Sequence, residues 1–116
     1  MGREVLDLNE FLERVQNDKE LLLELLDIFV EDFQEKRKQM EAALKNNDCD
    51  QIKRLSHALK GSSGNISAKP LRSVFLQMEE KGKNGDLTGA DGLLAEMDKE
   101  FQALAAHIAT LKEELK

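Results

Sequence analysis

Residues 50–66 have the sequence DQIKRLSHALKGSSGNI, in which apolar residues recur with the period of an α-helix. At ~100° per residue, four apolar side chains fall within an arc of ~60°: Ile52, Leu55, Leu59 and Ile66. The opposite side carries His57, surrounded by cations and glycines: Lys53, Lys60, Gly61 and Gly64. We therefore predict a helix that buries one stripe in a core and offers the face with the imidazole to another macromolecule.

The position at which this helix ends is left open by the local pattern. Glycine costs roughly 1 kcal/mol relative to alanine inside a helix, which favours an end at Gly61 and a loop over residues 61–65. Ile66 returns to the apolar stripe, and this favours a helix that continues through both glycines. The two alternatives differ in whether Gly64 shares a face with His57.

Amphipathic patterns extend over most of the chain and predict five helices, at about residues 8–16, 19–46, 49–66, 68–82 and 87–115. The second helix either runs unbroken to Asn46 or bends near Asp32. Helices with one apolar stripe each, joined by short connections, are typical of an up-down bundle. The predicted fold is therefore all-α: an antiparallel up-down four-helix bundle with an extra short N-terminal helix, forming a single domain over residues 1–116.

Polar residues precede each predicted helix and are suited to accept hydrogen bonds from its first turn. N-caps are predicted at Asp7, Asp18, Asp48, Ser67 and Asp86. The run GKNG at residues 82–85 predicts a loop, because two glycines and an asparagine favour turns.

Composition restricts the partners that this chain of 116 residues can have. Its net charge of −6 argues against nucleic acid, whose phosphates require a basic face. No run of ~20 apolar residues is present, so membrane insertion is not expected. The single cysteine, Cys49, excludes an internal disulfide and fits a reducing compartment. We therefore predict a cytoplasmic protein in which Cys49 is a structural or incidental thiol.

The cations beside His57 allow two interpretations on so acidic a protein. Lys53, Arg54 and Lys60 either form a solvated helix face or attract a negatively charged group or partner to that face. The second histidine, His107, lies at the edge of the last helix's apolar seam and is interpreted as a boundary residue. Ser62 and Ser63 flank the apolar stripe and are expected to allow close helix packing.

The run His57–Ile66, HALKGSSGNI, resembles the signature of histidine-containing phosphotransfer (Hpt) domains of multistep two-component phosphorelays. The match consists of the histidine, a lysine three residues later, a glycine four residues later and the small residues that follow. It extends over the whole chain through the helix order, the loop at residues 85–87 and the long last helix. The chain departs from the family pattern at Ser67, where members often have glycine, and at Pro70.

The resemblance implies a phosphorelay carrier and not an enzyme. His57 would accept a phosphoryl group from a receiver-domain aspartate, through the nitrogen further from the backbone, and pass it to another receiver aspartate. Lys60 would offset charge on the phosphoryl group. A glutamine on the next helix orients the imidazole in some members, and the candidates here are Glu79, which matches better in spacing, and Gln77.

The same resemblance implies the partners. Gly61 and Gly64 would let a receiver approach the helix closely, with Lys53 and Arg54 in the same docking face. The partners would be receiver domains of response regulators and a hybrid sensor histidine kinase, and the chain would act as a monomer. No cofactor and no metal site are expected in this chain, because Mg²⁺ would be bound by the partner receiver. No ATP-binding or kinase motif is present in the sequence.

Two other functions compete with the carrier. The chain could be a non-catalytic helical module that docks a partner through the same face, with His57 an ordinary exposed histidine. It could also drain phosphate from a receiver, because phosphate returned to a receiver can be lost by hydrolysis. Incubation with a phosphorylated receiver separates the three.

Overall fold

The computed structural model describes residues 5–115, so residues 1–4 and 116 of the predicted domain lie outside it. The described chain forms five helices: α1 (Leu8–Arg14), α2 (Lys19–Lys45), α3 (Cys49–Asn65), α4 (Lys69–Asn84) and α5 (Ala90–Glu114). Helices α2 to α5 form the bundle, and the short α1 packs against α2. The predicted all-α fold, with four long helices and a short N-terminal one, is confirmed. Within the described range, no helix is long and apolar enough to cross a membrane.

The starts of the first three helices follow from local sequence. The carboxylates of Asp7, Asp18 and Asp48 each accept a hydrogen bond from the backbone N–H three residues later, at 3.1, 3.0 and 3.1 Å. Such caps satisfy N–H groups that have no partner inside the helix. Helix α2 continues unbroken past Asp32, and α3 continues through Gly61. Helix α2 is thus a single helical segment, and of the two alternatives for the end of α3 the structure has the continuous one.

Apolar stripes from all five helices meet in one core. Its largest fully buried side chains include Phe11, Leu26, Phe33, Leu59, Phe75 and Leu104. The Phe33 ring of α2 stacks on the Phe101 ring of α5, with a centroid separation of 4.1 Å. Near it, Arg37 of α2 forms two hydrogen bonds with the carboxylate of Asp98 on α5, at 2.8 and 2.7 Å. These contacts hold the long α2 and α5 together at the edge of the core.

Ser67 does not cap α4, contrary to the prediction. Its backbone is left-handed, with φ of +60°, and the residue that precedes α4 is Ala68, which makes no side-chain cap bond. The Ser67 hydroxyl instead donates to a Glu10 carboxylate oxygen at 2.7 Å, and its carbonyl accepts from the Asp7 N–H at 2.9 Å. A left-handed residue favours glycine, but serine at this turn adds a hydrogen bond that ties α1 to the connection between α3 and α4.

The predicted loop at residues 82–85 is helical as far as Asn84, so α4 continues two residues past its predicted end. The reason is tertiary: Gly82 is buried where α4 crosses α3. A Cβ at this position would lie 2.7 Å from the carbonyl oxygen of Cys49 and 2.7 Å from the amide nitrogen of Lys53. Glycine at residue 82 therefore allows two helix backbones to touch, and the turn begins at Gly85, with φ of +69°.

Helix α5 begins at Ala90, three residues after the predicted start, and Asp86 is not its cap. The Asp86 carboxylate accepts a hydrogen bond from the Thr88 N–H at 3.0 Å, two residues on, which closes a turn inside the loop. The residue before α5 is Gly89, with φ of +82°. This local hydrogen bond occupies the Asp86 carboxylate, which therefore does not cap α5, and the helix begins later in the chain.

Replacement of Gly82 by Ala tests the close contact of α3 and α4. We expect a loss of about 1–3 kcal/mol in the free energy of unfolding, because an added methyl group forces two backbones apart. Gly92→Ala is the matched control, since apart from the neighbouring backbone of α5 itself a Cβ there meets no described atom within 4 Å. It should be neutral or gain up to ~1 kcal/mol. Urea unfolding of both variants measures the difference, and equal stabilities would contradict the contact.

Candidate functional site

The imidazole of His57 projects from the middle of α3 and is 70% exposed. One ring edge is nevertheless held: Nδ1 lies 2.7 Å from the Oε2 atom of Glu79 on α4. The close crossing of α3 and α4 at Gly82, one turn from Glu79, brings this carboxylate within reach. The histidine is therefore anchored through one nitrogen, while most of its ring faces solvent.

The Glu79 carboxylate has a second partner on α3. The ammonium group of Lys60 donates to Oε1 at 2.6 Å, and the side chains of Lys60 and Glu79 are only 21% and 16% exposed. The hydrogen bond from Lys60 lowers the pKa of the Glu79 carboxyl, burial opposes this effect, and the His57 contact adds to the lowering. Glu79 is therefore ionised at neutral pH and acts as an acceptor for two donors at once.

This contact selects one form of the imidazole. An ionised carboxylate can only accept hydrogen bonds, so Nδ1 carries the proton in the pair with Glu79. In a neutral ring the lone pair then resides on Nε2, the nitrogen further from the backbone. The geometry therefore prepares a nucleophilic nitrogen on the exposed edge of the ring.

Two further cations lie around the ring. Lys53, Arg54, His57 and Glu79 line a shallow surface pocket of about 320 Å³. Both cations are exposed, and Arg54 pairs with Asp50 one turn earlier at 2.5 Å. The pocket thus combines positive charge with an accessible imidazole, an arrangement that suits an anionic group.

The two glycines of α3 have different surroundings. Gly61 is exposed, and apart from the neighbouring backbone of α3 itself a Cβ there would meet no described atom within 4 Å. Gly64 is half-buried, and a Cβ there would lie 3.5 Å from the Arg72 side chain of α4. Open space for an approaching partner therefore exists at Gly61, whereas Gly64 lies partly beneath Arg72.

Comparison with known proteins adds to this geometry. A family model described as the Hpt domain matches residues 24–107, which include the whole of α3 and α4. The chain belongs to the Hpt family. It is also similar to the crystal structure of histidine-containing phosphotransfer protein B (HptB) from Pseudomonas aeruginosa PAO1. The two share 28% identity over 97% of this chain and 96% of that chain, with a TM-score of 0.83. Among curated proteins, no sequence matches the chain.

Membership establishes the class of activity. An Hpt domain is a phosphotransfer intermediate and not a kinase, and Hpt domains generally interact with receiver domains.

Not every predicted candidate lies at the site. Gln77 is exposed and donates to the Ser73 carbonyl at 3.4 Å, because two residues along α4 turn its side chain ~200° away from Glu79. Its hydrogen bond therefore stays within α4, and the contact with the imidazole comes from Glu79. His107 is half-buried on α5. Over residues 5–115, no group of three or more His, Cys, Asp or Glu side chains could hold a metal ion.

Gly82 contributes to the geometry of the site, although the run GKNG predicts a loop at this position. The sequence indicates the burial of Gly82 only indirectly. The apolar period of Leu71, Val74, Phe75 and Met78 continues to residue 82, so a glycine at this place falls on the buried face of α4.

Proposed function

We propose that this Hpt domain, residues 1–116, is a phosphorelay carrier. His57 accepts a phosphoryl group from a receiver aspartate and later passes it to another receiver aspartate. The observation that carries the proposal is the exposed imidazole whose Nδ1 is held 2.7 Å from an ionised carboxylate, which leaves Nε2 as the nucleophile.

The chemical step needs little from the chain beyond this nitrogen. The Nε2 lone pair attacks the phosphorus of the aspartyl phosphate, an Nε2–P bond forms, and the P–O bond to the aspartate breaks. The bonding pair leaves with the aspartate as a carboxylate, while the proton stays on Nδ1. Transfer onward is the same step in reverse, with a second aspartate as the attacking group.

The remaining site residues supply positive charge and help the receiver to approach. Lys60 adds positive charge to the site, Gly61 lets the receiver come close to α3, and Lys53 and Arg54 attract its acidic rim. Mg²⁺ belongs to the receiver. The exchange takes place in the cytoplasm, between the monomeric carrier and receivers of response regulators and of a hybrid sensor histidine kinase.

The deciding experiment is incubation of the chain with a phosphorylated receiver. The carrier function requires phosphate that appears on His57 as the receiver loses it and that a second receiver can then remove. Unchanged receiver phosphate would instead indicate a docking module. Free phosphate without a lasting phosphohistidine would indicate a module that drains the receiver.

Lys60→Ala is expected to slow transfer from the receiver about fivefold, because a partly exposed charge of this kind contributes roughly 1 kcal/mol. Quenched-flow measurement of phospho-His57 formation gives the rate. Lys99→Ala removes an exposed lysine from α5 and should leave the rate unchanged. A Lys60→Ala rate equal to that of the parent would contradict a part for this lysine in transfer.

A further inference from the structure

The cation assigned to the phosphoryl group is engaged elsewhere in the structure. Lys60 and the His57 ring bind the two oxygens of one carboxylate, at 2.6 and 2.7 Å, and that carboxylate sits at Nδ1. Nδ1 is not the nitrogen that takes the phosphoryl group in the proposed function. The hydrogen bond of Lys60 therefore connects it to Glu79, on the Nδ1 side of the ring.

We propose that Lys60 and Glu79 act as one unit that keeps the proton on Nδ1 of phosphorylated His57, and that Lys60 influences transfer through Glu79. Both are positioning residues in this sense. The proposal rests on the proposed function, because it assumes that His57 is phosphorylated on Nε2.

The chemistry follows from the charge of the ring. With phosphorus on Nε2 and a proton on Nδ1, the ring is cationic, and an ionised carboxylate at hydrogen-bond distance stabilises that cation. When the Nε2–P bond breaks, its electron pair returns to Nε2 and the proton stays on Nδ1. The leaving group is then neutral imidazole. Without the Nδ1 proton it would be an imidazolate anion, which is a far poorer leaving group.

The other charges around the ring oppose its protonation. Lys53 and Arg54 of α3 line the same pocket and are cationic, and Lys60 is cationic as well. Glu79 of α4 is the anion in this pocket. Lys60 orients this carboxylate. The negative charge of Glu79 therefore allows the phosphoryl group to leave at higher pH than it otherwise could. A glutamine at this position would keep an acceptor oxygen for Nδ1–H but supply no charge.

The test compares Glu79→Gln with the parent without any receiver. Both proteins are phosphorylated with phosphoramidate, a small phosphoryl donor, and loss of phosphate from His57 is followed by ³¹P NMR over a range of pH. An opposite charge within ~4–6 Å shifts such a titration by ~1–3 pH units. We expect the midpoint of the decay profile to fall by about one unit in Glu79→Gln, with decay about tenfold slower at pH above both midpoints.

Glu80→Gln is the matched control, because Glu80 is the exposed neighbour on α4, and its profile should coincide with that of the parent. Coincidence of the Glu79→Gln and parent profiles would overturn the inference and leave the carrier function intact. If phosphoramidate does not label His57 at all, the proposed function itself fails, so the two failures are distinguishable.

A double-mutant cycle tests whether Lys60 acts through Glu79. Transfer from phospho-His57 to a receiver is measured for Lys60→Ala, Glu79→Gln and the double variant, each checked for a native melting curve. If the two residues form one unit, the double variant is no slower than Glu79→Gln alone. Additive losses would show that Lys60 acts directly on the phosphoryl group and would overturn this part of the inference.

Discussion

His57→Gln is expected to abolish phosphoryl transfer from a phosphorylated receiver, leaving no detectable label on the chain. Glutamine keeps much of the size and polarity of histidine but has no nucleophilic ring nitrogen. Because the side chain is 70% exposed, its replacement should change the free energy of unfolding by no more than ~0.5 kcal/mol. The loss of label would therefore reflect the missing nucleophile and not an unfolded protein.

The measurement is radiolabel transfer from the receiver, with unfolding monitored on the same preparation. His107→Gln replaces the other histidine, which is half-buried on α5, and should accept label as the parent does. Label on the parent should be lost in acid and retained in base, as expected for a phosphorus–nitrogen bond. Label that persists on His57→Gln would refute the assignment of the phosphorylated residue.

Gly61→Arg is expected to leave the fold intact and to reduce transfer at least about a hundredfold in both directions. The fold should tolerate the change, because the position is exposed and a Cβ there meets no described atom outside the neighbouring backbone of α3 within 4 Å. Removal of a helical glycine can even add ~1 kcal/mol of stability. The long side chain, however, occupies space one turn from His57, where the receiver must place its aspartate, and a displacement of ~1 Å can cost ~100-fold in rate.

Gly92→Arg is the matched control for this prediction. Gly92 is likewise an exposed helical glycine with open space around it, but it lies on α5. Both variants should melt at or above the parent temperature, while only Gly61→Arg should lose transfer. A folded Gly61→Arg protein that transfers at the parent rate would show that close docking at this glycine is not needed.

Features that depend on residues a few positions apart were predictable from the sequence. The stripe of Ile52, Leu55 and Leu59 placed α3 with one face in the core, since helical period alone relates these positions. The same period put His57 and Gly61 on the outer face. The caps at Asp7, Asp18 and Asp48 were also predictable, because the N–H group that each accepts from is three residues away.

Features that depend on the distance between helices were not predictable in this way. Gly82 lies inside α4 because the backbones of α3 and α4 touch there. The Ser67 hydroxyl binds Glu10 and does not cap α4, because α1 lies beside it. In both cases a tertiary contact outweighs a local preference of about 1 kcal/mol.

The sequence by itself determined that five helices form, which face of each is buried, and that His57, Lys60 and Gly61 share one side of α3. The resemblance to Hpt domains also favoured Glu79 over Gln77. Only the tertiary structure decided that one Glu79 carboxylate binds both Lys60 and the His57 ring. The physical reason is that a hydrogen bond forms only within a few tenths of an ångström of ~2.8 Å. Such a distance between α3 and α4 is set by how closely their backbones pack at Gly82, which no helical period specifies.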